Sequence, residues 1–251
     1  MLDLLLIFIF SFSIWIFGLL ISKRFFKENG FLHFMLCVIF SLLTITVLID
    51  LFPQAYQLLI YPNRFIMIPL LFSGILLGGL VIYLIDRFIP FGEDDLSISN
   101  ESTHQLFNVS MISSLVYAFY SIATGIILFY LLRDHFETGL LQISSLFLHT
   151  LPFNVFIATV LLTIDNDIKH CMWMMLSISL CPFLGAMIGF SLKSLSLSAY
   201  IEAMMICFTI GAFLYVLMTK FLPRIINSRQ NTLSFVGIVV GMILAFMTIF
   251  L

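Results

Sequence analysis

Charged side chains are scarce in this sequence. Asp, Glu, Lys and Arg make up 10% of its 251 residues, and 62% are hydrophobic. An average soluble domain carries about 25% charge. So few polar groups cannot cover a water-facing globule of this length, which excludes a cytosolic globular enzyme and a disordered chain. The net charge of −2 supplies no basic surface for nucleic acid, so no nucleic-acid partner is expected.

Cysteine is also rare, and the four cysteines lie in or beside apolar runs. That distribution indicates buried thiols rather than a disulfide framework. What the sequence has in abundance is apolar runs of the length that a bilayer-spanning helix needs, about 20 residues. Runs such as 4–21 do not alternate apolar and polar residues as barrel strands would. The pattern predicts an all-α, polytopic bundle in a lipid bilayer.

Polar residues between the apolar runs divide the chain into eight predicted spans within one transmembrane domain, 1–251. Their approximate bounds are 3–22, 31–52, 65–85, 109–132, 139–163, 171–192, 197–219 and 232–251. The longest connection, 86–108, is too short for a separate domain.

Basic residues predict the orientation, because cytoplasmic connections carry the excess of Lys and Arg. Eight of the 11 basic residues fall in odd-numbered connections. We therefore expect a plasma or inner membrane protein with the 86–108 loop in the cytoplasm and both termini outside.

Glycines spaced four apart occur in three spans, at Gly74 and Gly78, Gly185 and Gly189, and at 237 and 241. Such pairs let helix backbones approach closely in lipid. They serve either as a homodimer face or as packing positions within one bundle, and packing within the bundle is the simpler interpretation.

Three ionisable residues stand out within the predicted spans: Asp50, His149 and Glu202. Ionisable groups inside a membrane are costly, and they mark functional sites unless a partner satisfies them. If Glu202 faces His149, the two could bind a cation or relay a proton. If it faces another helix, it makes an interhelical hydrogen bond.

The fifth span contains His149, Thr150, Pro152 and Asn154 in the run HTLPFN. Proline removes a helix hydrogen bond, so we expect a kink and an exposed carbonyl group. Thr150 and Asn154 share a helix face. Transporters place ion sites at such polar interruptions. The alternative is a proline kink whose polar neighbours bond to an adjacent helix.

The fourth span contributes a second mildly polar run, YSIATG over 120–125. Tyr120 and Thr124 share a face, and Ser121 lies beside them.

In order and spacing these runs resemble the Zrt/Irt-like (ZIP) metal transporters. HTLPFN is similar to that family's His-Glu-x-Pro-His-Glu motif, of which His149 and Pro152 are kept. YSIATG aligns with His-Asn-x-x-Asp/Glu-Gly and keeps Gly125. Weaker similarities are DLFPQA at 50–55, CPFLGAMIG at 181–189 and GAFLYV at 211–216 with a later proline. The resemblance covers residues 40–225 and implies eight spans with both termini outside.

The resemblance implies transport of a divalent cation such as zinc as substrate. In the family, His and acidic residues of the fourth and fifth spans bind two metal ions. Here the aligned positions retain no carboxylate, so the implied metal ligands are His149, Thr150 and Asn154, with Glu202 as a relocated ligand. Tyr120, Ser121, Thr124, Pro152 and Asp50 are then expected along the transport path or at its kink.

The substitutions leave two hypotheses about function. One is a ZIP-type carrier with an atypical metal site. The other is a ZIP-fold protein that no longer transports and acts as a partner or regulatory subunit of another membrane protein. An intramembrane enzyme is not expected, because the sequence contains no paired catalytic motif such as His-Glu-x-x-His.

Overall fold

The computed structural model describes residues 2–28, 30–60, 64–88, 101–164, 168–192, 199–227 and 231–250. Within these ranges the regular structure is entirely helical. Seven helical stretches among the described residues are long and apolar enough to cross a membrane, and three of them combine consecutive helices. The prediction of an all-α, multi-pass bundle is therefore confirmed.

The helices begin and end as follows: α1 Leu2–Phe25, α2 Phe31–Ile45, α3 Phe52–Ile60, α4 Arg64–Phe88, α5 Glu101–Asp134, α6 Phe136–Ile164, α7 Ile168–Ser179, α8 Cys181–Ser191, α9 Ala199–Val216, α10 Leu222–Asn227 and α11 Asn231–Phe250. Short π-helical segments, Thr46–Leu51 and Leu217–Phe221, join α2 to α3 and α9 to α10.

These helices account for each predicted span, with some spans built from two helices in line. The last span, α11, contributes a shorter apolar stretch, Thr232–Thr248, than the other seven. The count of eight spans and the placement of both termini outside therefore stay predictions. In the 86–108 connection, α5 already begins at Glu101, and residues 89–100 lie outside the described part of the chain.

The two π-helical segments precede prolines at equivalent places. Pro53 and Pro223 follow these segments by two residues, and neither proline can donate a backbone hydrogen bond. The backbone instead forms wider turns: the N–H of Phe52 bonds to the Val47 carbonyl, and that of Leu222 to the Leu217 carbonyl. Single π-turns within helices are frequent at functional sites.

Helix α6 occupies the centre of the bundle. It is the most buried of the seven spanning helices and packs against α1, α2, α5 and α11. Pro152 lies inside it without ending it, because α6 is continuous from Phe136 to Ile164. The predicted kink therefore does not divide the helix.

The four most extensive helix contacts form two matching sets. The first span packs on the fifth as the sixth packs on the fourth (α1 on α6, α8 on α5). The second packs on the eighth as the seventh packs on the third (α2 on α11, α9 on α4). If the first three predicted spans are exchanged with the last three, and the fourth with the fifth, the same pairs of helices are in contact.

Glycines make these contacts close. A Cβ atom added at Gly125 would lie 2.1 Å from the Pro182 carbonyl oxygen, and one at Gly185 would lie 2.1 Å from the Ile122 carbonyl oxygen. At Gly78 it would meet the Phe208 carbonyl oxygen at 2.0 Å. The spaced glycines therefore pack helices of the same chain, as the simpler interpretation predicted.

An ion pair and its hydrogen bonds connect α4, α5, α9 and the second π-helical segment. Lys220 donates to Asp86 at 2.7 Å and to the Asn108 side chain at 3.2 Å. Tyr215 donates to the same Asp86 carboxylate at 2.6 Å. The two charged side chains are 16% and 14% exposed, so their charges are largely removed from solvent and depend on each other.

Candidate functional site

The imidazole of His149 meets the fourth span at Tyr120. The Tyr120 hydroxyl and His149 Nε2 are 2.6 Å apart, and the two residues are only 4% and 5% exposed. The other ring nitrogen, Nδ1, makes no hydrogen bond of good geometry to any described residue. The Ser145 backbone carbonyl interacts electrostatically with the ring. Because α5 packs closely on α6, two of the predicted site residues form one buried, hydrogen-bonded pair.

The two other candidate ligands of α6 are already used in hydrogen bonds. The Asn154 amide donates to the Thr150 carbonyl at 3.1 Å and accepts from the Ser179 hydroxyl at 3.0 Å. Thr150 and Asn154 are fully buried. Beside them Tyr117 stacks on Phe153 with ring centroids 4.4 Å apart. This part of α6 thus bonds to adjacent helices, as one of the two interpretations of the run predicted.

A small cavity of about 50 Å³ lies next to the Tyr120–His149 pair. We call it the central cavity; its polar lining residues are Asp50, Gln54, Tyr120, Thr124, Gln142 and Thr209. A cavity needs roughly 10–15 Å³ to hold one water molecule, so this one accommodates a few waters or a small ion.

Asp50 supplies the carboxylate of the central cavity. It lies in the π-helical segment before Pro53 and is half-buried. The Gln54 amide, one turn later, donates to its Oδ1. The wide turn thus places an acidic side chain beside Tyr120, while Thr124 bonds to its own helix at the Tyr120 and Ser121 carbonyls, 3.0 and 3.1 Å away.

Glu202 lies elsewhere. It occupies the first turn of α9 and lines a second cavity of about 220 Å³ together with Asp134, His135 and Tyr130. We call this the Glu202 cavity. His149 is not among its lining residues, so Glu202 faces α5 rather than His149. An interhelical hydrogen bond of Glu202 stays a prediction.

The donor set of the central cavity is made of oxygen atoms. One carboxylate, two amides and three hydroxyls line it, and the His149 imidazole beside it is bonded to Tyr120. Across the described ranges, no three His, Cys, Asp or Glu side chains converge as metal ligands. Zinc prefers four nitrogen, sulfur or carboxylate ligands, whereas carboxylate and amide oxygens suit harder cations. The chemistry of the site therefore does not fit zinc.

Sequence reasoning missed Gln54, Gln142 and Ser179. Two of them carry a signal in their spacing. Gln54 follows Asp50 by four residues, and Gln142 precedes His149 by seven, so each shares a helix face with its neighbour. Ser179 has no such signal, because its contact with Asn154 depends on how α7 packs on α6.

No protein-family model matches the chain, and no curated protein is similar to it.

Proposed function

We propose that this chain is a membrane carrier for a small inorganic cation that is bound by oxygen atoms in the central cavity. Asp50 is the charge-bearing ligand in this proposal. The observation that carries it is the half-buried carboxylate of Asp50, which lines the central cavity together with hydroxyl and amide groups from four helices. Ionisable groups inside membrane bundles mark ion pathways.

The helix pairing supports a carrier. Many secondary transporters consist of inverted repeats that move against each other about a site near the bilayer midplane. In this chain the four most extensive helix contacts are reproduced when the first three predicted spans are exchanged with the last three, and the fourth with the fifth. Both repeats of the proposed carrier contain a π-turn before a proline, at 46–51 and 217–221. In this proposal the bundle has eight spans with both termini outside, as in ZIP carriers.

The charge of the site favours a particular cargo. One carboxylate balances one positive charge, and an unbalanced second charge is costly in a bundle core. A monovalent cation is therefore matched by Asp50 alone. A hard divalent cation keeps one unbalanced positive charge, because water completes its coordination shell without neutralising it. Zinc is the least suited, because its preferred ligands are missing from the cavity.

The test is cation uptake into proteoliposomes, measured separately for Na⁺, K⁺, Mg²⁺, Mn²⁺ and Zn²⁺. We expect uptake of one of the hard cations, and its loss in Asp50→Asn. Asp3→Asn is the matched control, because Asp3 lies in the first turn of α1 and outside the cavity. Uptake that is unchanged in Asp50→Asn, or absent for every cation, would contradict the proposal.

A second function is favoured by the hydrogen bonds of α6. His149 bonds to Tyr120, and Asn154 bonds to Ser179 and Thr150, so the residues aligned with the ZIP metal site are largely engaged in structural contacts. A non-transporting subunit of another membrane protein would have such a site. That function predicts no uptake of any cation and a stable membrane-protein partner that co-purifies in stoichiometric amount.

A further inference from the structure

The central cavity and the Glu202 cavity share one lining residue, Ile127 of α5. This residue is half-buried. The central cavity holds the Asp50 carboxylate, and the Glu202 cavity holds Glu202 and Asp134. An aliphatic side chain therefore stands between two polar spaces.

A single stripe of α5 connects the two cavities. Tyr120, Thr124, Ile127, Leu131 and Asp134 follow one another at intervals of three or four residues, so they share one face of the helix. Tyr120 and Thr124 line the central cavity, and Leu131 and Asp134 line the Glu202 cavity. At 1.5 Å per residue the stripe from Thr124 to Asp134 is about 15 Å long.

A stripe of α9 runs in the opposite direction along the same two cavities. Glu202 lines the Glu202 cavity, while Ile206 and Thr209 line the central cavity. These residues are also spaced four and three apart, so they share a face of α9. Both stripes are polar at their ends and aliphatic in between, at Ile127 and Leu131 on α5 and at Ile206 on α9.

The central cavity also adjoins a larger groove of about 660 Å³ between α4, α5 and α9. Ala123 and Thr209 line both spaces. The groove is lined almost wholly by apolar residues, among them Phe119 and Ile201, which are 41% and 56% exposed. Its apolar lining offers no route for an ion, whereas the Glu202 cavity has charged lining residues that suit a hydrated cation.

We infer that Ile127, together with Ile206, forms a hydrophobic gate between the Glu202 cavity and the central cavity. Aliphatic constrictions in membrane proteins block ions by excluding water. The gate rests on the proposed carrier function, in which the Glu202 cavity is the entrance that a cation uses to reach Asp50. Glu202 attracts cations to that entrance, whereas the charge of Asp134 is compensated by the Arg133 guanidinium 2.8 Å away.

The test measures how fast a water-soluble, membrane-impermeant thiol reagent reaches the central cavity. Thr124→Cys places the target thiol there, and the four described native cysteines are buried. The reagent is added on the side from which it labels a Glu202→Cys variant. We expect slow labelling of Thr124→Cys with Ile127 intact, and labelling roughly tenfold faster once Ile127→Ala removes the dry constriction.

Three further variants separate a gate from general loosening of the helix. Ile126→Ala removes the same atoms from the adjacent position of α5, where Ile126 is 9% exposed and lines neither cavity. It should leave the labelling rate of Thr124→Cys unchanged. Ile127→Thr and Ile127→Val have nearly the same size and branched shape but differ by a hydroxyl group, so Ile127→Thr should accelerate labelling more than Ile127→Val does if the barrier is dryness rather than bulk. Folding is checked by the thermal transition of each variant.

Equal acceleration by Ile126→Ala and Ile127→Ala would overturn the gate, as would unchanged labelling in Ile127→Ala and Ile127→Thr. Labelling requires no transport, so the two proposals fail separately. Uptake that Asp50→Asn abolishes, with labelling insensitive to Ile127, would reject the gate alone. Labelling that depends on Ile127, with no uptake of any cation, would reject the carrier and leave Ile127 as a water barrier.

Discussion

The contact between α5 and α8 makes Gly125 the most informative position for a stability measurement. A Cβ atom at Gly125 would lie 2.1 Å from the Pro182 carbonyl oxygen and 2.8 Å from its carbon. Both are backbone atoms, so no side-chain rotation can relieve the clash. Gly125→Ala must push α8 away from α5 by about 1 Å to restore an ordinary contact, which disrupts packing along the whole interface.

Overpacking of this kind costs about 1–3 kcal/mol, and the better helix propensity of alanine offsets up to about 1 kcal/mol of that. For a chain of this size each kcal/mol moves the unfolding midpoint by about 2–4 °C. We therefore expect Gly125→Ala to lower the midpoint by several degrees. The assay is thermal unfolding of the purified protein in detergent.

Gly79→Ala is the matched control, because the nearest atom to its added Cβ is the Gly211 carbonyl oxygen at an ordinary 3.5 Å. Its midpoint should be unchanged or slightly raised. Gly185→Ala meets the same interface from α8, with its Cβ 2.1 Å from the Ile122 carbonyl oxygen. One separation of the helices accommodates both methyl groups, so the double variant should lose less than the sum of the single losses. Equal midpoints for Gly125→Ala and Gly79→Ala would refute the close approach.

Three other predictions follow from the buried polar groups. Tyr120→Phe removes the partner of His149 Nε2, so it should destabilise the protein by about 1–3 kcal/mol. In a His149→Leu background the same change should cost much less. Additive effects of the two substitutions would contradict the 2.6 Å hydrogen bond. Lys220→Met leaves the Asp86 carboxylate without its counter-charge and should lower the unfolding midpoint more than Lys220→Met combined with Asp86→Leu does; the reverse order would show that the pair is solvated. The four buried cysteines should resist an impermeant thiol reagent until the protein unfolds, and rapid labelling of the folded protein would contradict their burial.

Much of the architecture follows from local sequence properties. Apolar runs as long as the bilayer is thick, such as α1 and α4, can only be helices there, because every backbone polar group must be satisfied within the segment. The polar runs at 120–125 and 149–154 were visible for the same reason: few polar residues interrupt these spans. The π-turns before Pro53 and Pro223 were not foreseen, because a proline in a helix permits a kink, a break or a wider turn.

The arrangement of the site depended on helix rotation, which hydropathy does not encode. Both faces of a membrane helix are apolar, so the direction of a lone carboxylate such as Glu202 is decided by its neighbours. In the fold Glu202 lies with Asp134, and Asp50 lies with Tyr120. If α9 were rotated by half a turn about its axis, Glu202 would face a different helix.

By itself the sequence determined that this chain is a multi-pass helical membrane protein and which of its residues are too polar to be ordinary lipid-facing positions. Hydrophobicity adds along a helix and needs no knowledge of neighbouring helices. The tertiary structure alone decided that the spaced glycines pack helices within one chain, that His149 bonds to Tyr120, and that Asp50 lines a cavity adjoining Ile127. Such contacts join residues far apart in sequence, and they exist only once the helices have packed at a particular rotation and depth.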